Sequence, residues 1–470
     1  MRRAPRRPSG SGEGTSRGMP MNILSEKAAS GIRLLESWTL SQMAYSGQPG
    51  LSAAILKDQE VVWSRGFGYA DKERGIEATP ETIYRIASIT KLFTSTAVMQ
   101  LRDKGRLNLH DPITEYLPWF SIGESKGRPI TIENLITHTS GLPREAAGPY
   151  WTTAKFPTKE EVVKNLPGQM HPLEPWRKWK YSNLALSLAG YIVEEASGAP
   201  FEEYVKMNIL EPLGMNSTYV ESIPEDHPKL AKGYGRRTPD GERKPCLYTD
   251  SKGITPAANM ATSVLDMARF AMLQFREDEE DPVLTGETLR EMHRVHWLDP
   301  NWEAGWGLGF NILRIGGKTF IGHGGSVSGY RTIVRINLEE KVAMIVFTNA
   351  DDGEPIKYVE KAHQWVAPAL AEKPAETLPG DWSRYTGKFR NIWGDAEVLL
   401  YNGELIMINP QLPDPLTEYT TMKHVGGDTF QMKAPGYGSH NEYAVYEFDE
   451  EGKVKRLKTG ENYTYPVEKW

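Results

Sequence analysis

Ser88 and Lys91 stand three residues apart at the head of an apolar stretch, Ser88-Ile89-Thr90-Lys91-Leu92-Phe93. The run to Gly105 reads as a buried helix beginning at Ser88, because Phe93, Ala97, Val98, Met99 and Leu101 leave it little polar face. Residues i and i+3 share a helical face, so the lysine amine can reach the serine hydroxyl. Burial disfavours the ammonium form, and a neutral amine can accept a proton. A serine at a helix start also lies near free backbone N–H groups and the positive end of the helix dipole, which suits a developing oxyanion. The chemistry these residues would do is nucleophilic acyl transfer. The competing account is an N-cap serine followed by a solvated lysine, and Ser-x-x-Lys alone arises by chance in a chain of 470 residues.

Two further groups would complete such a site. Tyr181-Ser182-Asn183 precedes an apolar helix over 184–193. Alternate residues of an extended entry segment point the same way, which would turn Tyr181 and Asn183 toward one cleft. A phenol near a buried lysine can ionise more easily or relay a proton to a leaving group. The alternative is a packed tyrosine with capping Ser and Asn residues. Gly322-His323-Gly324-Gly325-Ser326 is expected at the end of a strand over 319–321, where its glycines let a ligand or another chain approach the backbone. A lone histidine is more often structural than catalytic.

Positioning these groups falls to the surrounding elements. A helix is expected over about 23–43, then a hairpin of strands 51–57 and 60–69 turning at Asp58-Gln59. A second strand pair, 332–336 and 342–348, brackets a polar turn over 337–341, and the chain between the two pairs is helix-rich. Strands at both ends with helices between them imply an α/β domain built on one antiparallel sheet, since parallel βαβ alternation is absent. Residues 21–369 are assigned to this domain, 370–383 with Pro374 and Pro379 to a linker, and 1–20, rich in arginine, to a disordered tail. Over 384–470 the texture changes to strands. Asn402-Gly403 between 397–401 and 404–408 signals a type I′ hairpin, 443–448 and 454–458 flank another turn, and a small β-barrel is expected.

Composition excludes several classes. A formal net charge of -6 lacks the basic face of a nucleic-acid binder. No stretch approaches the ~20 apolar residues of a membrane span. The single cysteine, Cys246, permits no intrachain disulfide and fits a cytoplasmic setting. There is no Gly-x-Ser-x-Gly elbow, no His-Glu-x-x-His frame and no cysteine cluster, so neither an α/β-hydrolase nor a zinc site is indicated.

Together the Ser-x-x-Lys, Tyr-Ser-Asn and His-x-Gly elements resemble the penicillin-recognising serine hydrolases, in the branch of class C β-lactamases, D-aminopeptidases and family VIII esterases. Ile-Glu-Asn-Leu-Ile-Thr-His-Thr-Ser-Gly-Leu-Pro over 132–143, Leu213-Gly214-Met215, residues 257–270 and Gly305-Trp306-Gly307-Leu308-Gly309 extend the resemblance across about 25–365. It implies an antiparallel sheet flanked by helices with a helical subdomain, and an acyl-enzyme on Ser88. Lys91 and Tyr181 would share the proton transfers, and Asn183 would bond Lys91 and the acyl-side amide of the substrate. The backbone N–H groups of Ser88 and Ser326 would form an oxyanion hole, with His323, Gly325 and Ser326 lining the substrate site. No metal or organic cofactor is implied.

One departure matters. His323-Gly324-Gly325 replaces the usual Lys-Thr-Gly, and histidine is mostly uncharged at neutral pH. The fixed cation for a substrate carboxylate is missing, which favours an ester, amide or peptide without an obligatory free carboxylate. β-Lactamase or DD-peptidase activity is the runner-up, and a non-catalytic acyl-compound sensor or scaffold the rival from another class. The distal barrel resembles a lipocalin-like tail starting at Tyr385-Thr386-Gly387-Lys388-Phe389; it would hold a ligand, narrow the cleft, support a homo-oligomer, or simply pack. Substrate choice is expected from the loops over 144–180.

Overall fold

The structure, a computed structural model, describes residues 25–124, 127–277, 281–370, 382–434 and 439–468. The tail expected over 1–20 and nearly all of the linker expected over 370–383 lie outside the described residues.

The first hairpin forms as expected: β1 (Gly50–Lys57) and β2 (Glu60–Asp71) join at Asp58-Gln59, with Asp58 at φ 52°. β3 (Ile76–Glu77) lies outside β2, and β4 (Tyr84–Arg85) with β5 (Ala261–Thr262) makes a separate ladder. Later come β6 (Trp297–Leu298), β7 (Ala304–Trp306), β8 (Asn311–Ile315), β9 (Lys318–Val327), β10 (Tyr330–Asn337) and β11 (Val342–Thr348). The nine-stranded sheet runs β3-β2-β1-β11-β10-β9-β8-β7-β6, and its centre pairs the two ends of the domain, Leu51 opposite Thr348 and Lys57 opposite Val342.

Both faces of this sheet are covered, which is why its central strands read as unbroken apolar runs. Leu51, Ala53 and Ile55 of β1 pack with Met344 and Val346 on one face, whereas Ala54 and Leu56 join Ile345 and Phe347 on the other. The first face is roofed by the helices Glu26–Ser46 and Pro355–Trp365. The former is capped by Ser25, whose hydroxyl accepts the Ala28 N–H, and stops at Gly47 in the left-handed region. The second face carries the helical subdomain, whose centre is the helix Thr90–Asp103, buried from Thr90 to Leu101, beside Asn183–Ser197.

Two local expectations are corrected. The α-helix starts at Thr90, and Ser88 belongs to a preceding 3₁₀ turn, Ala87–Ile89. The strand expected to end at 321 continues to Val327, so the His323 motif is part of β9 itself. Pairing of β8 with β9 stops at Asn311 opposite Gly322, leaving the β9 edge from His323 onward uncovered on that side.

The C-terminal residues close an eight-stranded antiparallel barrel: β12 (Gly387–Asn391), β13 (Gly394–Tyr401), β14 (Glu404–Ile408), β15 (Thr420–Gly426), β16 (Thr429–Lys433), β17 (Tyr443–Phe448), β18 (Val454–Thr459) and β19 (Asn462–Pro466). Asn402 and Gly403 both have positive φ, as a two-residue hairpin of the primed type requires. Val398, Leu405, Phe430 and Tyr446 fill the interior, while Leu399, Ile406 and Ile408 point outward into the core under Ile32, Leu35 and Trp38. Trp38 meets Tyr358 and Trp365 edge-on, with ring centroids 5.4 Å apart in each pair, and donates from Nε1 to the Leu412 carbonyl at 3.0 Å. Lys361 pairs with Asp414 at 2.6 Å across the same joint. The barrel is therefore docked through a shared apolar core. Trp38→Ala is expected to cost about 3–5 kcal/mol, read as a lowered denaturation midpoint of the whole chain; an unchanged midpoint would show that the joint contributes nothing.

Candidate active site

Ser88 is placed by backbone geometry. Ala87 sits at φ 47°, a region unusual for a residue with a Cβ, and this turn delivers Ser88 beside the free edge of β9. The following helix has no side-chain cap, so the Ser88 hydroxyl is not spent as an N-cap. Lys91 is only 1% exposed, which rules out the solvated-lysine account. Gly325 makes the close approach possible: a Cβ there would lie 2.1 Å from the Ile86 carbonyl oxygen and 2.2 Å from Thr332 Oγ1. The glycine serves another chain segment as the motif suggested, and that segment is the one leading to Ser88.

The Lys91 amine has three neighbours: Ser88 Oγ at 3.0 Å, Asn183 Oδ1 at 2.8 Å and the Ala257 carbonyl at 2.7 Å. Burial holds its pKa well below the usual lysine range; Glu145 opposes that and Arg144 adds to it. A neutral amine has two N–H donors and one lone pair. Asn183 Oδ1 and the Ala257 carbonyl can only accept, so they would take both donors of a neutral amine and leave its lone pair facing Ser88 Oγ. Tyr181 Oη donates to Ser88 Oγ at 2.7 Å. The three side chains thus meet at one oxygen.

The Tyr181 ring is held by His138, packed against it at a 33° tilt with centroids 4.4 Å apart, and by the Arg144 guanidinium 5.0 Å above it. His138 Nδ1 accepts the Ser182 N–H at 3.2 Å, and Ser182 Oγ caps the helix by accepting the Ala185 N–H at 2.9 Å. Alternation therefore works as expected: Tyr181 and Asn183 enter the site while Ser182 turns away to cap. Of the two behaviours open to Tyr181, easier ionisation or proton relay, its surroundings favour the relay. Burial pushes its phenol well above the ordinary range, more than Ser88 and Arg144 pull it down, so it is a proton donor.

Sequence reading missed Glu145. Its carboxylate accepts from Asn183 Nδ2 at 2.8 and 3.1 Å and from Tyr150 Oη at 2.7 Å. It lies two residues past the 132–143 run, and only the following strap brings it in: the Asn183 N–H bonds the Arg144 carbonyl at 2.7 Å. A charged pair directly after a Gly-Leu-Pro turn is the one signal that would have flagged it.

His323 is buried in β9 with Nδ1 at 2.6 Å from the Gly324 carbonyl, so Nδ1 carries the proton and Nε2 is left without a protein partner. Burial, then Lys91, pushes its pKa down to about 3, and the ring is neutral. Ser88, Tyr181, Asn183, His323, Gly325 and Ser326 all line one cleft of about 1030 Å³, with Trp151, Trp179, Ile333 and Ile356 as apolar wall. The cleft's cations Arg144, Arg331 and Lys357 each pair with a carboxylate: Glu145 at 3.3 Å, Asp351 at 3.4 Å and Glu354 at 3.0 Å. Among the described residues no barrel side chain lines this cleft, so the barrel does not narrow it. Gly325→Ala should displace the turn before Ser88, costing about 1–3 kcal/mol and lowering kcat by roughly 10²-fold with KM little changed. Thermal melting with steady-state kinetics checks this; wild-type kcat would refute the close-packing argument.

The family model for beta-lactamase matches residues 36–367. The putative penicillin-binding protein PbpX of Bacillus subtilis (strain 168) is 27% identical over 321 residues, 68% of this chain and 74% of that protein. The solved octameric penicillin-binding protein homologue from Pyrococcus abyssi is similar with a TM-score of 0.64 and 28% identity, covering 92% of this chain and 99% of that one. A D-stereospecific amidohydrolase from Streptomyces sp. aligns with a TM-score of 0.60 and 25% identity over 70% of this chain and 97% of that one. With Ser88, Lys91, Tyr181, Asn183 and the β9 motif all inside the matched span, the chain belongs to the beta-lactamase family, whose members are generally serine hydrolases.

Proposed function

We propose that this chain cleaves ester or amide bonds through an acyl-enzyme on Ser88. The observation carrying this reading is the convergence on Ser88 Oγ of Lys91 Nζ at 3.0 Å and Tyr181 Oη at 2.7 Å. Neutral Lys91 takes the Ser88 proton as Oγ attacks the acyl carbon. The backbone N–H groups of Ser88 and Ser326 receive the oxyanion. Tyr181 gives its proton to the leaving alkoxide or amine and regains one from the Lys91 ammonium. Water then attacks the ester on Ser88, yields its proton to the same pair and restores the serine.

The substrate reading rests on charge. A β-lactam or a D-alanyl terminus presents a carboxylate, whereas His323 is neutral and the cleft's three cations already have carboxylate partners. An amide or ester flanked by an apolar group, received by Trp151 and Trp179, suits the cleft better, and the likeness to a D-stereospecific amidohydrolase supports the amide.

Ser88→Ala should abolish turnover of short p-nitrophenyl esters, and intact mass spectra should show a transient acyl adduct on the wild type alone. Equal activity in both proteins would sink the assignment, and an adduct that never turns over would replace the hydrolase with an acyl-compound sensor. Because only the neutral amine accepts the proton, turnover should rise with pH through the depressed Lys91 pKa and level off well below the usual lysine range. Lys91→Arg, charged at all accessible pH, should be inactive; retained activity would move the base elsewhere. The likeness to an octameric homologue across both domains supports self-assembly. Light scattering should then give a mass of several chains, and a monomer would remove that part of the reading.

A further inference from the structure

We infer that Glu145 is a positioning residue of this site, holding the Asn183 amide in the one orientation that reserves the Lys91 lone pair for Ser88. The inference rests on the acyl-enzyme reading above and concerns a residue that makes no contact with Ser88.

The Asn183 amide, 4% exposed, has two faces of similar shape and opposite hydrogen-bonding character. As placed, Oδ1 accepts from Lys91 at 2.8 Å and Nδ2 donates to both Glu145 oxygens, at 2.8 and 3.1 Å. Turned over, Oδ1 would face a carboxylate that can only accept, and two acceptors would be buried against each other. The reversed NH₂ would meanwhile point at Lys91. It could take neither of the amine's N–H groups, and it would donate into the lone pair that must receive the Ser88 proton. Glu145 excludes this arrangement by its acceptor character alone.

The carboxylate is itself held from several sides. Tyr150 Oη donates to Oε2 at 2.7 Å, Arg144 Nε lies 3.3 Å from Oε1, and Gln169 Nε2 donates to the Glu145 main-chain carbonyl at 3.0 Å. Its charge reaches the amine too. The charged and titratable groups around Lys91 are Glu145, Arg144, the Tyr181 phenol and the neutral rings of His138 and His323. Glu145 is the anion of that set. Removing its charge weakens the ammonium form further, so the acid limb of activity moves to lower pH.

The experiment compares wild type with Glu145→Ala and Glu145→Gln in the full chain, measuring kcat and KM for a p-nitrophenyl ester across the pH profile, with thermal melting alongside. Glu145→Ala should lower kcat about 10- to 100-fold with KM changed less than about threefold, and shift the acid limb to lower pH. Glu145→Gln keeps a carbonyl that can accept from Asn183 Nδ2; it should recover most of kcat while retaining the shifted limb. Wild-type kcat and limb in both variants would overturn the inference, as would an effect confined to KM, which would mark Glu145 as a substrate contact. Should Glu145→Ala fail to fold, Glu145→Met, which keeps the side chain's length without an acceptor, decides in its place: a lowered kcat with KM little changed upholds the inference and wild-type kcat overturns it. If Ser88→Ala is itself fully active, the acyl-enzyme reading has failed instead, independently of either Glu145 variant.

Discussion

A lysine amine stripped of water is the constraint around which the hydrolase domain is arranged. Desolvating an ammonium in a protein interior costs several kcal/mol, and Lys91 meets that cost by favouring the neutral form, as its depressed pKa records. Its partners suit that state. One oxygen comes from the helix Asn183–Ser197, another from the Ala257 carbonyl, and the third position belongs to Ser88. Holding these three in place requires the central helix, the neighbouring helix and the 255–258 turn to be packed as one unit. Thr94 Oγ1 donating to the Pro256 carbonyl at 2.6 Å, and the Met260 N–H donating to Thr90 Oγ1 at 3.1 Å, fasten that turn to the central helix.

The sheet's contribution is proximity. Its β9 edge must pass the Ala87–Ile89 turn closely enough for Ser88 and Ser326 to face one cleft, and a side chain at Gly325 would prevent it. The positive φ of Ala87 shows strain kept where the surrounding packing over-determines the backbone. Gly309 makes a comparable concession: at φ 89° it lies where a Cβ would come within 2.4 Å of Ser95 Oγ, on the central helix. Close backbone contact, more than any single polar bond, sets the distance between nucleophile and sheet.

The barrel stands apart from this chemistry. Its interior is filled by Phe389, Leu405, Phe430, Met432 and Tyr446, and its outward Leu399, Ile406 and Ile408 complete a core begun by the N-terminal helix. It docks on the helices Glu26–Ser46 and Pro355–Trp365, which roof the sheet face opposite the helical subdomain. One physical link between the barrel and the site is the helix Pro355–Trp365, which meets the cleft at Ile356 and the barrel at Lys361.

Much of this was legible in the residues themselves. Local periodicity and turn chemistry placed the β1–β2 hairpin, the β10–β11 pair and the Asn402-Gly403 turn, because each depends on neighbours in sequence. Likewise, i to i+3 spacing brought Lys91 to Ser88, and alternation brought Tyr181 with Asn183. What the sequence by itself determined was the set of groups able to do acyl transfer and the elements carrying them. Tertiary structure decided the rest. It alone raises the Tyr181 phenol above its ordinary range, since burial is a property of the packed interior. It alone placed Glu145 on Asn183, because a strap without periodicity takes its course from what it packs against. And it turned the His323 motif into an open strand edge, because β9 runs on past its neighbour β8, whose pairing ends at Asn311 opposite Gly322.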